Sequence, residues 1–160
     1  MGYPSSAFFQ VDVKKAIIIG CKKYEQLRII DGKQNFKDIP ETQNDIKVVY
    51  AGLRRLKFEQ SDIVILRDPK YPELKIAIDQ LSADIYRNQS SAGLNTLVFV
   101  YYAGHGMMDN STYCVLNEAK MYPLEKMLRC LAKAKGSYVI SVFDCCREDM
   151  RRYQPQQNQP

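Results

Sequence analysis

Histidine occurs once, at position 105, in a chain of 160 residues. No apolar stretch approaches the ~18 residues that a membrane-spanning helix requires; the best run is Leu97 to Gly104. A membrane span is therefore excluded. The opening segment, MGYPSSAFFQ, lacks the basic start and apolar centre of a secretory signal. Gly2 and Ser6 fit the loose pattern for myristoylation, but bulky Tyr3 and Pro4 fit it poorly. Nor is positive charge gathered anywhere. The net charge of +5 comes from residues scattered along the chain, such as Lys14, Lys15, Lys22, Lys23, Arg54 and Arg55, with no basic block interleaved with aromatics. Nucleic acid is thus not an expected partner. The five cysteines (Cys21, Cys114, Cys130, Cys145 and Cys146) are odd in number and lack metal-ligand spacing, so neither a metal nor another cofactor is expected. The adjacent pair cannot easily form a normal disulfide with each other. Such usage fits a reducing, cytoplasmic compartment in which one or more thiols are reactive.

What is present is the balance of an ordinary globular protein, 46% apolar and 26% charged. The length suits one core and is too short for two. Residues 1–12 read as a loose leader and 13–150 as the domain. Residues 151–160, rich in Gln and Pro, read as a disordered tail.

Within the domain, apolar strands alternate with amphipathic helices. Residues 14–20 form a β-branched run stopped by Gly20, the pattern of a strand buried on both faces. Residues 22–40 are polar and read as a long loop. Ile46, Val49, Leu53 and Leu56 mark a helix over 41–57, and Leu74, Ile78, Leu81 and Ile85 a second over 72–88. Residues 61–66, 94–102 and 137–143 read as further strands. Asp109-Asn110-Ser111 reads as a turn leading into a short strand at 113–116. The spacing of Leu124, Met127, Leu128 and Leu131 predicts a third helix over 121–135. The resulting class is α/β, a mainly parallel sheet with helices on both faces. In such sheets ligands bind beyond the carboxyl ends of the strands. Attention therefore falls on the residues after Gly20, Tyr102 and Phe143.

Two of those strand ends carry reactive side chains. His105 stands between Gly104 and Gly106, and Cys145-Cys146 follows the last strand. Histidine can take a thiol's proton near neutral pH, which turns cysteine into a nucleophile. Glycine beside the histidine lets a substrate approach the backbone closely. The N–H groups of Gly106 and of the nucleophilic cysteine could hold the oxyanion of an acyl-transfer intermediate. A turn histidine and a strand-end cysteine are equally compatible with plain packing; what favours chemistry is their coincidence at one sheet edge. Cys145 to Arg151 and Cys146 to Arg152 also match the Cys-x5-Arg spacing of a phosphatase loop, but Glu148 and Asp149 within it would repel phosphate.

The stretch Leu97 to Gly106, with its Tyr-Tyr-Ala-Gly-His-Gly, and the stretch Val142 to Arg147, with its Asp-Cys-Cys-Arg, resemble the two catalytic blocks of the caspase-like cysteine peptidases. The likeness is greatest to the paracaspase and metacaspase branches. Ala16 to Tyr24 resembles the first strand of that family and the loop after it. Asn44-Asp45, the helix that follows and Leu56-Lys57-Phe58 also fit. The resemblance covers about residues 14–150, the large, p20-like catalytic subunit. It implies His105 as general base and Cys146 as nucleophile, with Cys145 in the variable place of Asp-x-Cys. It also implies Gly106 and Cys146 as oxyanion-hole donors. Asp45 and Asp144 match acidic positions that line the pocket for the residue before the scissile bond. The expected reaction is endopeptidase cleavage after Arg or Lys. Asp45 reads equally well as a first-turn helix residue favoured by the dipole.

The resemblance also implies a small, p10-like subunit, which the 14 residues after Cys146 could not contain. That subunit would be removed or supplied separately, or the domain would stand alone, weakly active or acting as a non-catalytic scaffold or regulator. In either case an exposed sheet edge would invite a partner or a second copy. The acidic calcium ligands of some metacaspases have no counterpart that the sequence can place.

Overall fold

The structure is a computed structural model, and it describes residues 10–24, 36–117, 120–146 and 148–149. The expected leader through residue 9 and the tail from residue 151 lie outside the described residues, as does 25–35 of the long polar loop.

Four parallel strands form the central sheet: β1 (Val13–Gly20), β2 (Ile63–Arg67), β3 (Thr96–Ala103) and β7 (Ser137–Asp144), in the order β2-β1-β3-β7. β1 and β3 occupy the middle, which is why they carry the most continuous apolar runs. Three helices pack on this sheet: α1 (Thr42–Arg55), α2 (Tyr71–Ala92) and α3 (Leu124–Leu131). Alternate strand residues build two cores. On one face Ala16, Ile18, Tyr101 and Ala103 meet Ile46 and Leu53 of α1. On the other, Ile17, Ile19, Val98, Val100 and Tyr102 meet Leu74, Ile78, Leu81 and Ile85 of α2 and Met127 and Leu131 of α3. The expected α/β class is the class observed.

A second, smaller sheet sits at the carboxyl end of the first. Its strands are β4 (Gly106–Met108), β5 (Thr112–Val115), β6 (Met121–Pro123) and β8 (Glu148–Asp149), ordered β6-β5-β4-β8. β4 and β5 form the expected hairpin. β8 pairs in parallel with β4, Met107 opposite Glu148 and Met108 opposite Asp149. The chain after the two cysteines is therefore folded back along the hairpin that follows His105.

Three expectations about elements are corrected. The third helix does not begin at Met121. Pro123 restricts the residue before it to extended backbone, so Met121–Pro123 joins the small sheet and α3 starts at Leu124. Leu56 is not on the buried stripe of α1; it is 63% exposed. The helix ends at Arg55, Lys57 adopts a left-handed φ of 64°, and Phe58 takes the place in the core instead. Residues 60–62 form a 3₁₀ turn, so the second strand begins at Ile63.

The carboxyl ends of the four strands are level. Gly20 lies opposite both Arg67 and Ala103, and Ala103 lies opposite Asp144. Backbone bonds tie the exits together, from Cys21 N–H to the Ala103 carbonyl (2.9 Å) and from Gly104 N–H to the Asp144 carbonyl (3.3 Å). Any side chains that follow β1, β3 and β7 must therefore share one rim.

Candidate active site

That rim holds a cavity of about 370 Å³ whose wall includes Asp45, Gly104, His105, Asp144, Cys145 and Cys146. β3 delivers His105, β7 delivers Asp144 and the cysteines, and the first turns of α1 deliver Asp45, Thr42 and Glu41. Four of the five residues singled out in the sequence thus face one space. The fifth, Gly106, lies one residue further along and supports it from behind.

The His105 ring is held at one nitrogen and between two aromatic rings. Its Nε2 is 2.9 Å from the carbonyl oxygen of Lys37. A carbonyl only accepts, so Nε2 carries the proton and Nδ1 keeps its lone pair. Nδ1 is buried and has no hydrogen-bond partner among the described residues. The imidazole is flanked by Tyr24, edge-on at 4.6 Å between ring centroids, and by Phe36 at 4.7 Å. With Nε2 engaged by the Lys37 carbonyl, Nδ1 is the nitrogen left to take a proton from a neighbour.

The two cysteines differ in environment. Cys145 is half-buried and packs against the core beneath the sheet, whereas Cys146 is exposed at the cavity. Gly106 lets them pack closely against the strand that follows the histidine. A Cβ added at Gly106 would lie 2.7 Å from Cys145 Sγ and would overlap the Cys146 carbonyl oxygen. The sequence assigned this glycine's openness to an approaching substrate; the structure assigns it to the cysteine loop.

Three carboxylates, Glu41, Asp45 and Asp144, line the cavity, and among its described lining there is no Lys or Arg. In a chain of net charge +5, this is a local concentration of negative charge. The Tyr101 hydroxyl donates to Asp144 Oδ2 at 3.2 Å. Burial, then the Asp144 and Asp45 carboxylates, push the Tyr101 phenol's pKa up, which keeps it a donor. Asp45 is half-buried and lies in the first turn of α1, so it faces the cavity and the helix dipole at once.

Several contributors were not legible in the sequence. The Lys37 carbonyl carries no side-chain signal, and Phe36 and Lys37 lie in a polar stretch with no periodicity. Glu41 was read only as the start of a helix. Tyr24 and Tyr102, whose hydroxyls meet the backbone of His105, were read as parts of motifs without a role.

A parallel α/β sheet with an imidazole and a thiol at neighbouring strand ends defines a class of thiol-hydrolase architectures. Within that class, the sequence model of the caspase domain matches residues 13–159. This chain belongs to the caspase family. It is also 29% identical, over 137 residues, to a paracaspase from Dictyostelium discoideum. That match covers 83% of this chain but 30% of the relative, so the chain spans about a third of the length of the protein it resembles. The family is one of caspase-like cysteine peptidases, and the paracaspase likeness agrees with the branch read from the sequence.

Proposed function

We propose that this domain is a cysteine endopeptidase that cleaves after Arg or Lys by means of a Cys146–His105 dyad. The observation that carries the reading is the shared cavity, in which the exposed Cys146 and the unpartnered Nδ1 of His105 stand beside Asp45 and Asp144. In the first step, Nδ1 takes the Cys146 proton and the thiolate attacks the scissile carbonyl. The N–H groups of Gly106 and Cys146 then stabilise the oxyanion. The imidazolium, held by the Lys37 carbonyl, protonates the departing amine. Water, activated by the same imidazole, releases the acyl group. Asp45 and Asp144 receive the cationic side chain that precedes the cleaved bond, a pairing that charge-assisted hydrogen bonds favour.

The test is hydrolysis of short chromogenic peptides ending in Arg, Lys or Asp. The reading expects turnover with Arg and Lys, loss of it in Cys146→Ala, and little with Asp. Turnover that survives Cys146→Ala would falsify the assignment.

A second reading, a non-catalytic module that works through its sheet edge, is favoured by β7. This strand ends the sheet, and Tyr138, Ile140 and Val142 lie on one of its faces at 40, 51 and 44% exposure. α1 covers β1 on that side but leaves the β7 face open. A separate small subunit or a second copy of the chain would suit it. Dimerisation or capture of a partner without any peptide turnover would favour this reading over the first.

A further inference from the structure

We propose that Tyr24, Tyr102 and Asp38 are positioning residues for the His105 imidazole, acting through hydrogen bonds that hold both of that residue's own peptide groups. The inference rests on the reading of His105 as the base. His105 N–H donates to the Tyr24 hydroxyl oxygen at 2.9 Å. The Tyr102 hydroxyl lies 2.6 Å from the His105 carbonyl oxygen and 2.8 Å from that of Val115. Both are acceptors, so the single Tyr102 proton is shared between them. The two phenols thus hold the N–H and the C=O of the same residue.

Two further features serve this pair of bonds. A Cβ on Gly104 would lie 2.5 Å from the Tyr24 hydroxyl and 2.7 Å from that of Tyr102; only glycine leaves room for both. Asp38 Oδ1 accepts the Tyr24 N–H at 2.9 Å, and its neighbour Lys37 holds Nε2 at the same distance. One short segment therefore anchors the tyrosine that grips the His105 backbone and the far nitrogen of the imidazole. Desolvation holds both phenols in their protonated form, so the Tyr102 bond keeps its direction across neutral pH. The consequence is a ring fixed in position and tautomer.

Because His105 is the only histidine, its tautomer and titration can be followed by NMR in the full chain without competing imidazole signals. Tyr24→Phe keeps the aromatic ring and removes one oxygen. The wild type should show a single Nε2–H tautomer when neutral. Tyr24→Phe should show mixed tautomers, and alkylation of Cys146 by iodoacetamide at pH 7 should slow about tenfold, the factor that one ordinary hydrogen bond represents. Asp38→Ala should act in the same direction, and Asp38→Asn, which keeps an acceptor oxygen, should restore the wild-type tautomer and rate. The Asp38 pair decides the matter if Tyr24→Phe does not fold. A mixed tautomer in the wild type, an unchanged tautomer in Tyr24→Phe, or equal behaviour of the two Asp38 variants overturns the proposal. If wild-type Cys146 reacts no faster than in His105→Gln, the reading of His105 as base fails, while the tautomer comparison still decides the positioning role.

Discussion

Replacing Gly106 by alanine should disable the thiol without unfolding the domain. The added methyl would lie 2.7 Å from Cys145 Sγ and would overlap the Cys146 carbonyl oxygen, where ordinary contact begins at 3.4 Å. The obstacle on the second side is backbone, which has no rotamer to change. The loop of Cys145 and Cys146 must therefore retreat by about 0.7 Å or more relative to His105. Displacements near 1 Å in a reacting pair cost about a hundredfold in rate. Crowding one methyl into a packed site costs stability of about 1–3 kcal/mol, which a folded domain of this size should survive. The assay pairs hydrolysis of an Arg-ending peptide with a urea unfolding curve. The expected outcome is a rate loss of about a hundredfold with a cooperative transition retained. Wild-type turnover in Gly106→Ala would refute the packing argument, because the loop would then have room that the structure denies it.

Other perturbations separate the parts of the account. Gly52→Ala lies inside α1, where an added Cβ meets nothing within 4 Å; it should stabilise the domain by about 0.5–1 kcal/mol with unchanged activity, and a lower urea midpoint would contradict this. Asp144→Asn and Asp45→Asn should each weaken the preference for Arg over neutral residues before the scissile bond by about tenfold or more, measured as a ratio of kcat/KM values; an unchanged ratio removes that residue from the pocket. Burial, aided by the Asp68 charge, pushes the Cys21 thiol from 9.0 up to about 12. The protonated thiol is thus the form the fold prefers, so its share of stability is complete below pH 9 and is lost as pH rises from 9 to 12. Cys114 shifts in the same direction through burial. Urea midpoints should accordingly fall above pH 9, and Cys21 should resist alkylation until the chain unfolds; a flat profile to pH 11 would count against both.

Legibility in the sequence followed the strength of the local signal. β1 and β3 could be read because buried parallel strands must be apolar and must stop at a breaker, as they do at Gly20 and Gly104, and β7 because its run is apolar up to Asp144 although it is an exposed edge. α2 was legible from four residues at helical spacing, all of which are buried. The third helix was overextended because the apolar spacing continues back through Met121, while Pro123 interrupts the backbone without changing that pattern. The assignment of Leu56 failed for a related reason. Periodicity does not report where a helix ends, and the left-handed turn at Lys57 carries the chain away.

For the site, side chains of unusual chemistry were visible, and groups that act through the backbone were not. His105 and the Cys145-Cys146 pair could be singled out because their residue types are scarce and stand at strand ends, whereas the choice of Cys146 within the pair and of Asp45 and Asp144 came from the resemblance to the family. The Lys37 carbonyl could not, since every residue has one. Tyr24 and Tyr102 look like core aromatics until their hydroxyls are seen against the peptide of His105.

The central claim is that one sulfur, served by one imidazole, does the chemistry. A chloromethyl ketone built on an Arg-ending peptide, followed by mass mapping of the labelled site, tests it most directly. The account predicts label on Cys146 alone in the native chain, and labelling slowed by orders of magnitude in His105→Gln. Label on Cys145 or Cys130, or equal labelling in the histidine variant, would contradict it.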